Sequence, residues 1–339
     1  MSVATNRDDR KEGLIAFVRR FPRRRVLVVG DLVADQFIYG EISRISREAP
    51  VLILRHERTE TIPGGAANCA LNLAALGAQV SLIGFLGDDA AGAEVYSRLT
   101  SAGVDCSGIV PSGRTTTKVR VLAGGAHSTR QQVIRIDYDE DAGETSDAHT
   151  QLLANLRARS STVDACIVSD YNYGVASSKI INELRRIKNE VRVPVLIDSR
   201  FRLNEFAGFT SATPNEDEVE GWRGTRLTNE ADLEAASIEL RQMLALQSLL
   251  VTRGSQGMLL VEGEHQPQHL AAIGGRDAVD VTGAGDTVIA TYTLAFASGA
   301  APADAAQLAN HAGGIVVMKR GTATISADEL IASVRQHEI

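Results

Sequence analysis

An α/β architecture, a mainly parallel central sheet flanked by helices and carrying a small antiparallel β lid, follows from three features of the chain. Short continuous apolar runs recur along it, as strands buried on both faces require. Helical patterns alternate with most of those runs, which is the mark of βαβ units. Two segments, 37–62 and 115–137, break the rhythm with strands of alternating polarity.

The elements follow in chain order. Residues 8–20 are charged, with Leu14, Ile15, Phe17 and Val18 between, and read as an amphipathic helix. Arg23, Arg24 and Arg25 then form a solvated turn. Val26–Gly30 is an apolar run ending in Gly, a buried parallel strand, and Val80–Ile83, Ala165–Val168, Val193–Ile197, Leu249–Thr252 and Met258–Val261 repeat it. Helices are expected at 66–77, 89–102, 147–159, 177–189 and 229–246, and in the C-terminal third at 284–298, 302–319 and 326–336. The irregular segments hold Phe37–Tyr39, Val51–Leu54, Lys118–Leu122, a turn at Gly124-Gly125, and Gln132–Ile136. They read as one small sheet projecting from the body, whose apolar surface must close over a ligand or pair with a second copy. The chain, 1–339, is expected to form a single domain.

Composition narrows the function. The 339 residues carry 35 Lys and Arg against 42 Asp and Glu, a net charge of −7 that argues against a nucleic-acid coat. With 44% hydrophobic and 23% charged residues the chain is an ordinary globular one. Cys69, Cys106 and Cys166 form no CxxC pair, which fits a reducing compartment. The first thirteen residues hold no apolar signal core, and Thr287–Ala303 is too polar to span a membrane. A cytoplasmic protein without membrane or nucleic-acid partners is expected.

Several chemistries are missing. None of the five lysines follows a Gly, so no Walker A loop is present. There is no GxGxxG and no GxSxG. His265 and His269 have no third ligand type beside them and read as a surface coincidence.

Three motifs remain. Asp280-Val-Thr-Gly-Ala-Gly-Asp-Thr287 is a Gly-rich turn entering an apolar helix, where first-turn N–H groups favour a phosphoryl group. Gly64-Gly-Ala-Ala-Asn68 opens a helix that Gly77 ends, placing backbone and an amide where sugar hydroxyls could be held. Gly30-Asp-Leu-Val-Ala-Asp35 puts two acids just past a parallel strand, where open α/β sheets bind ligands. Each alone also reads as packing or a turn.

In chain order, Gly30–Asp35, then Gly64–Asn68, then Asp280–Thr287, the three resemble the ribokinase-like (PfkB) carbohydrate kinase family, over roughly residues 25–335. Thr213-Pro-Asn-Glu-Asp-Glu218 looks like that family's N-x-x-E element, and Val251-Thr-Arg-Gly-Ser-Gln-Gly257 like its nucleotide-side turn. Gly40–Pro50, Pro63–Asn68, Thr117–Val121 and Ser169-Asp-Tyr171 look like the kinase half of heptose-7-phosphate kinase/nucleotidyltransferases. No H-x-G-H occurs in this sequence, so a stand-alone kinase is expected.

The resemblance implies ATP and Mg²⁺, and transfer to the C1 hydroxyl of D-glycero-D-manno-heptose 7-phosphate. It implies Asp286 as general base, of low pKa at a helix N-terminus, with N–H groups of Gly283, Ala284 and Gly285 as anion hole. Asp35, Gly64, Gly65 and Asn68 would hold the sugar. Arg44, Arg47, Lys118, Arg120 and Arg200 are the cations available for its phosphate. Asn215, Glu218, Thr252, Gly254, Gly257 and Asn310 would serve ATP, Glu218 also holding Mg²⁺ through water. Asp280 and Thr282 match positions that bind a monovalent cation such as K⁺ in some relatives. The sequence departs from the pattern at Asn172, where a Lys often follows, and at Ser199-Arg200. A homodimer through the lid is expected. Kinases for fructose phosphates, ribose or adenosine, and a non-catalytic sugar- or nucleotide-binding regulator, are the other readings.

Overall fold

The computed structural model of the protein describes residues 2–124, 130–139, 147–274 and 278–337. Gly125, half of the expected Gly124-Gly125 turn, lies outside them.

Among the described residues fourteen strands and ten α-helices form in this order. β1 is Arg25–Gly30, β2 Leu32–Ile45, β3 Leu52–Gly65, β4 Gln79–Ile83, β5 Phe85–Leu86, β6 Val110–Pro111 and β7 Thr116–Gly124. β8 is Gln131–Tyr138, β9 Ala165–Asp170, β10 Val195–Ser199, β11 Ser211–Ala212, β12 Ser248–Thr252, β13 Met258–Glu262 and β14 Gln268–Leu270. The helices are α1 Ser2–Val18, α2 Ala66–Ala75, α3 Ala90–Ser101, α4 Asp147–Arg159 and α5 Ser178–Glu190. They continue with α6 Glu216–Arg223, α7 Glu230–Met243, α8 Ala284–Ala297, α9 Pro302–Val316 and α10 Ala327–Gln336.

The main sheet runs β14-β13-β12-β11-β10-β9-β1-β4. It is parallel from β4 through β12, and β13 and β14 add an antiparallel edge. Alternation of side chains along each strand divides the core into two. Val26 and Val28 join Leu73, Ile289 and Leu308 on one face. Leu27 and Val29 join Leu152, Leu184 and Leu240 on the other. Helices α1, α2, α3 and α8 to α10 cover the first face, and α4 to α7 the second. No helix of the described residues is long and apolar enough to cross a membrane.

The lid is a four-stranded sheet ordered β3-β2-β7-β8. It consists of two antiparallel hairpins joined along a parallel β2–β7 pair. Its strands reach further than the expected 37–62. β2 starts at Leu32, one residue past β1, and β3 runs to Gly65 at the door of α2. Asp35 therefore stands on a lid strand rather than in a turn. The two lid faces differ in chemistry because residues alternate. Arg135 and Asp137 lie opposite Arg120 and Lys118. Between them Ile134, Ile136 and Tyr138 project outward and are exposed.

Candidate active site

Strands β1, β9, β10 and β12 are parallel, so their carboxyl ends share one edge, where open α/β sheets bind ligands. A cavity of about 340 Å³ lies between that edge, the inner face of the lid and the start of α8.

Asp286 sits on the first turn of α8, whose N-cap Gly283 has φ 76°. Glycine is required there twice over. The left-handed backbone disfavours a side chain, and a Cβ would come within 2.6 Å of the Asn68 amide nitrogen. With that space left open, Asn68 Nδ2 donates to Asp286 Oδ2 at 2.6 Å, and the Tyr171 hydroxyl donates to Oδ1 at 3.3 Å. The helix start does not give this carboxyl the low pKa expected of it. Burial dominates and raises it to about 6, against the two donors that lower it. The anion hole also differs in part. The Ala284 N–H already donates to the Val281 carbonyl at 3.2 Å, while a Cβ on Gly285 would meet only open space.

The lid supplies a cationic wall. Lys118, Arg120 and Arg135 line the cavity, with Arg200 facing them from the end of β10. Arg120 Nη1 bonds Asp35 Oδ1 at 2.5 Å. Arg135 grips both oxygens of Asp137, through Nε and Nη2 at 2.7 Å each. Lys118 is 9% exposed and its ammonium lies near the rings of Tyr171 and Tyr173, at 5.2 and 5.6 Å. Burial and the charges of Arg200 and Arg135 lower its pKa, partly offset by Asp35. Nearby Arg202 is unavailable, being bound to the buried Asp170.

Opposite this wall stand acids. Asn215 caps α6 in a capping box: its side chain accepts from the Glu218 N–H, and Glu218 Oε2 accepts from the Asn215 N–H. Glu218 is raised above its ordinary pKa by burial. Asp198, at the end of β10, is raised well above its own, by burial and by the charges of Asp286 and Glu218. Asp198, Glu218 and Asp286 give this side of the cavity a set of carboxylate oxygens, a donor chemistry that suits a divalent cation.

A second cleft, about 190 Å³ and mostly apolar, continues from the cavity past Thr252 and Gly285. Gly254, Gly257, Met258, Ile273, Val288 and Asn310 border it. Gly257 has φ 90°, and a Cβ there would run into the Leu270 carbonyl at 2.0 Å. Asn310 donates to the Ala271 carbonyl at 2.7 Å, pinning the loop along this cleft.

The fold thus gathers Asp35, Gly64, Gly65, Asn68, Lys118, Arg120, Arg200, Asn215, Glu218, Thr252, Thr282, Gly283, Gly285 and Asp286 around one cavity. It does not bring Arg44 and Arg47 there. Both are exposed at the tip of the β2–β3 hairpin. Asp280 lines neither space and accepts the Thr282 and Gly321 N–H groups at 3.0 and 2.9 Å. Tyr171, Asp198 and Arg135 are site residues that sequence reasoning passed over. Arg135 could have been found, since it alternates with apolar residues in Gln132–Ile136 as Lys118 does in its strand. Asp31 also has a role of its own: it accepts N–H groups of Tyr171, Tyr173 and Val175, and so sets the loop that carries Tyr171.

Known proteins share this frame. The family model described as pfkB family carbohydrate kinase matches residues 23–329. The protein named "Bifunctional protein HldE" of Nitrosococcus oceani is 43% identical over 318 residues, 91% of this chain and 64% of that protein. Its namesake in Citrifermentans bemidjiense is 38% identical over 322 residues, 94% of this chain and 65% of that protein. The chain thus spans a little under two thirds of these relatives. Among solved structures, Arabidopsis thaliana ribokinase with ribose and ATP superposes with TM-score 0.71 at 20% identity, covering 93% of this chain and 99% of that one. Escherichia coli phosphofructokinase-2 with potassium gives 0.75 at 20% identity, covering 92% and 99%. With the family matched over nearly its whole length and the fold shared, the chain belongs to the pfkB family of carbohydrate kinases, ATP-using enzymes that phosphorylate a sugar hydroxyl.

Proposed function

We propose that this kinase phosphorylates the C1 hydroxyl of D-glycero-D-manno-heptose 7-phosphate, giving the 1,7-bisphosphate. The observation that carries the choice of a phosphorylated sugar is the inner lid face. Lys118 is buried there without a hydrogen bond to any described residue, between Arg120, Arg135 and Arg200. A buried cation of this kind is stabilised by an anionic ligand. The identity to proteins named HldE supports the heptose itself.

Asp286 takes the proton of the C1 hydroxyl. Its pKa of about 6 leaves it ionised at neutral pH yet basic enough to accept a proton late in a loose phosphoryl transfer. The Gly283–Gly285 turn and the α8 dipole receive the phosphoryl oxygens, and Asp35 and Asn68 orient the sugar. The apolar cleft by Gly257 and Asn310 takes the adenine. Glu218, through water, and Asp198 fit Mg²⁺, which neutralises phosphate charge when bound; Mg²⁺ retains much of its own hydration shell. A monovalent cation beside Asp280 and Thr282 belongs to the same proposal, as do a cytoplasmic location and a homodimer through the outer lid face.

The test is ATP- and Mg²⁺-dependent turnover of heptose 7-phosphate, fructose 6-phosphate, fructose 1-phosphate, ribose and adenosine, followed by ³¹P NMR. A new anomeric phosphate on the heptose alone is expected. Preferred turnover of another sugar would overturn the substrate assignment and keep the kinase. Binding of ligands with no turnover at all would point to a regulator.

A further inference from the structure

We propose that Thr287 and Asn72 are positioning residues that set which end of the Asn68 amide faces Asp286. The proposal rests on the reading of Asp286 as general base. A side-chain amide has a donor end and an acceptor end of nearly equal shape, so packing alone does not choose between them. If the Asn68 oxygen faced the Asp286 carboxylate, two acceptors would meet in a site too buried for water to intervene.

The bonds around Asn72 make the choice. The Thr287 hydroxyl has one hydrogen to give. It donates to Asn72 Oδ1 at 2.7 Å, its other acceptor, the Gly283 carbonyl, being at 3.4 Å. That turns the Asn72 NH₂ toward Asn68, where it donates to the backbone carbonyl at 3.0 Å and to Oδ1 at 3.2 Å. With its oxygen engaged, Asn68 presents Nδ2 to Asp286 Oδ2. Donor and acceptor alternate in one direction from Thr287 to Asp286. Asn68 is 1% exposed, and Asn72 and Thr287 are 0% exposed, so the polarity of the chain is held by the protein itself. The geometry needs two helices. Asn68 and Asn72 are one turn apart on α2, and Asp286 and Thr287 are neighbours on α8.

The other titratable or charged groups that act on Asp286 are Asp35 from β2, Cys69 from α2, Tyr171 after β9, and Asp198 and Arg200 at the end of β10. Substitution of Thr287 changes none of them.

The experiment compares full-length wild type, Thr287→Val and Thr287→Ser. It reads kcat against pH and the ¹³C titration of the Asp286 carboxyl, assigned by its loss in Asp286→Asn. Loss of the Thr287 donor frees Asn72 and weakens the Asn68 bond to the ionised carboxylate. The acid limb of kcat and the carboxyl titration should both move up by about half to one pH unit in Thr287→Val. KM for ATP should stay unchanged, because Thr287 borders neither cavity nor cleft. Thr287→Ser retains the donor and should titrate as wild type. A folded Thr287→Val with the wild-type titration overturns the proposal. Should that variant not fold, Thr287→Ala removes the same donor without overpacking and is read in the same way. The carboxyl titration needs no turnover, so the two readings fail separately: full activity of Asp286→Asn would remove the base, and an unmoved titration would remove the positioning chain.

Discussion

Lys118 stands directly opposite Asp35 across the parallel β2–β7 pair, yet the carboxylate of Asp35 is bound by Arg120, two residues further along β7. The consequence is a division of labour on one strand face. Arg120 is committed to the Asp35 carboxylate, while the Lys118 ammonium is left lining the cavity against two tyrosine rings. A structural ion pair at that register would have consumed the lysine.

Replacing Lys118 should therefore act on substrate binding. A charge-assisted bond contributes about 1.5–3 kcal/mol. Lys118→Met should raise KM for the phosphorylated sugar roughly 10- to 100-fold, with kcat changed far less. Steady-state kinetics with a phosphorylated sugar and its dephosphorylated counterpart check this. An equal effect on both would place Lys118 outside the phosphate site.

Asp286→Asn should lower kcat by about 10²–10⁴-fold, the range for loss of a positioned base, with a modest change in KM. In the wild type, kcat should fall as pH drops through about 6, where the carboxyl gains its proton. Near-wild-type kcat in the variant, from a preparation free of contaminating kinase, would refute the role.

The same carboxyl makes a stability prediction of opposite sign. Its folded pKa of about 6 exceeds its ordinary value of 3.8, so the fold favours the protonated form. The cost of burying the charge appears as pH rises from about 4 to about 6 and persists above that. Asp286→Asn should be more stable than wild type at pH 7.5, by up to about 3 kcal/mol, and nearly equal to it around pH 4. Denaturant unfolding at both pH values reads the difference.

Gly283→Ala should damage activity and stability together. The positive φ costs a non-glycine residue about 1–2 kcal/mol, and the new methyl displaces the Asn68 amide from Asp286. The expected result is a lower melting temperature with a larger fall in kcat than that loss of stability explains. A variant with unchanged kcat would show that the Asn68 contact is dispensable.

If the proposed homodimer forms through the outer lid face, Ile134→Lys with Ile136→Glu should turn it into a monomer. These side chains are 52% and 40% exposed on the outer lid face, away from the cations of the inner face. Light scattering coupled to size exclusion gives the mass. A monomeric wild type would overturn the dimer proposal, and a variant that stays dimeric would place the interface elsewhere than the lid.

The elements were largely legible because their signals are local. Apolar runs and helical periods placed eight of the α-helices within three residues of their observed ends; α1 starts six residues before the expected residue 8, and α6, behind the Asn215 cap, was left out. The lid was recognised as a sheet, but its parallel β2–β7 seam was not, since pairing between strands some 80 residues apart leaves no local pattern. Arg44 and Arg47 were attractive as cations in a matching segment. Which end of a hairpin faces a cavity depends on where its root attaches, and here they occupy the far tip. Asp198 was hidden at the end of an ordinary apolar run.

From the sequence alone came the α/β class and the Gly-rich turn before α8, because spacing and residue type are enough to specify them; the family and most of the cavity residues came through the resemblance that the motifs carry. Tertiary structure decided the charge states and the polarity of the site. Burial lifted Asp286 to about 6 where the helix dipole by itself would have lowered it. Packing of α2 on α8 put the Asn68 amide against that carboxylate, and the reach of the Arg120 side chain, not strand register, made it the partner of Asp35. Desolvation and hydrogen-bond direction depend on what surrounds a group in space, and those neighbours lie far away in the chain.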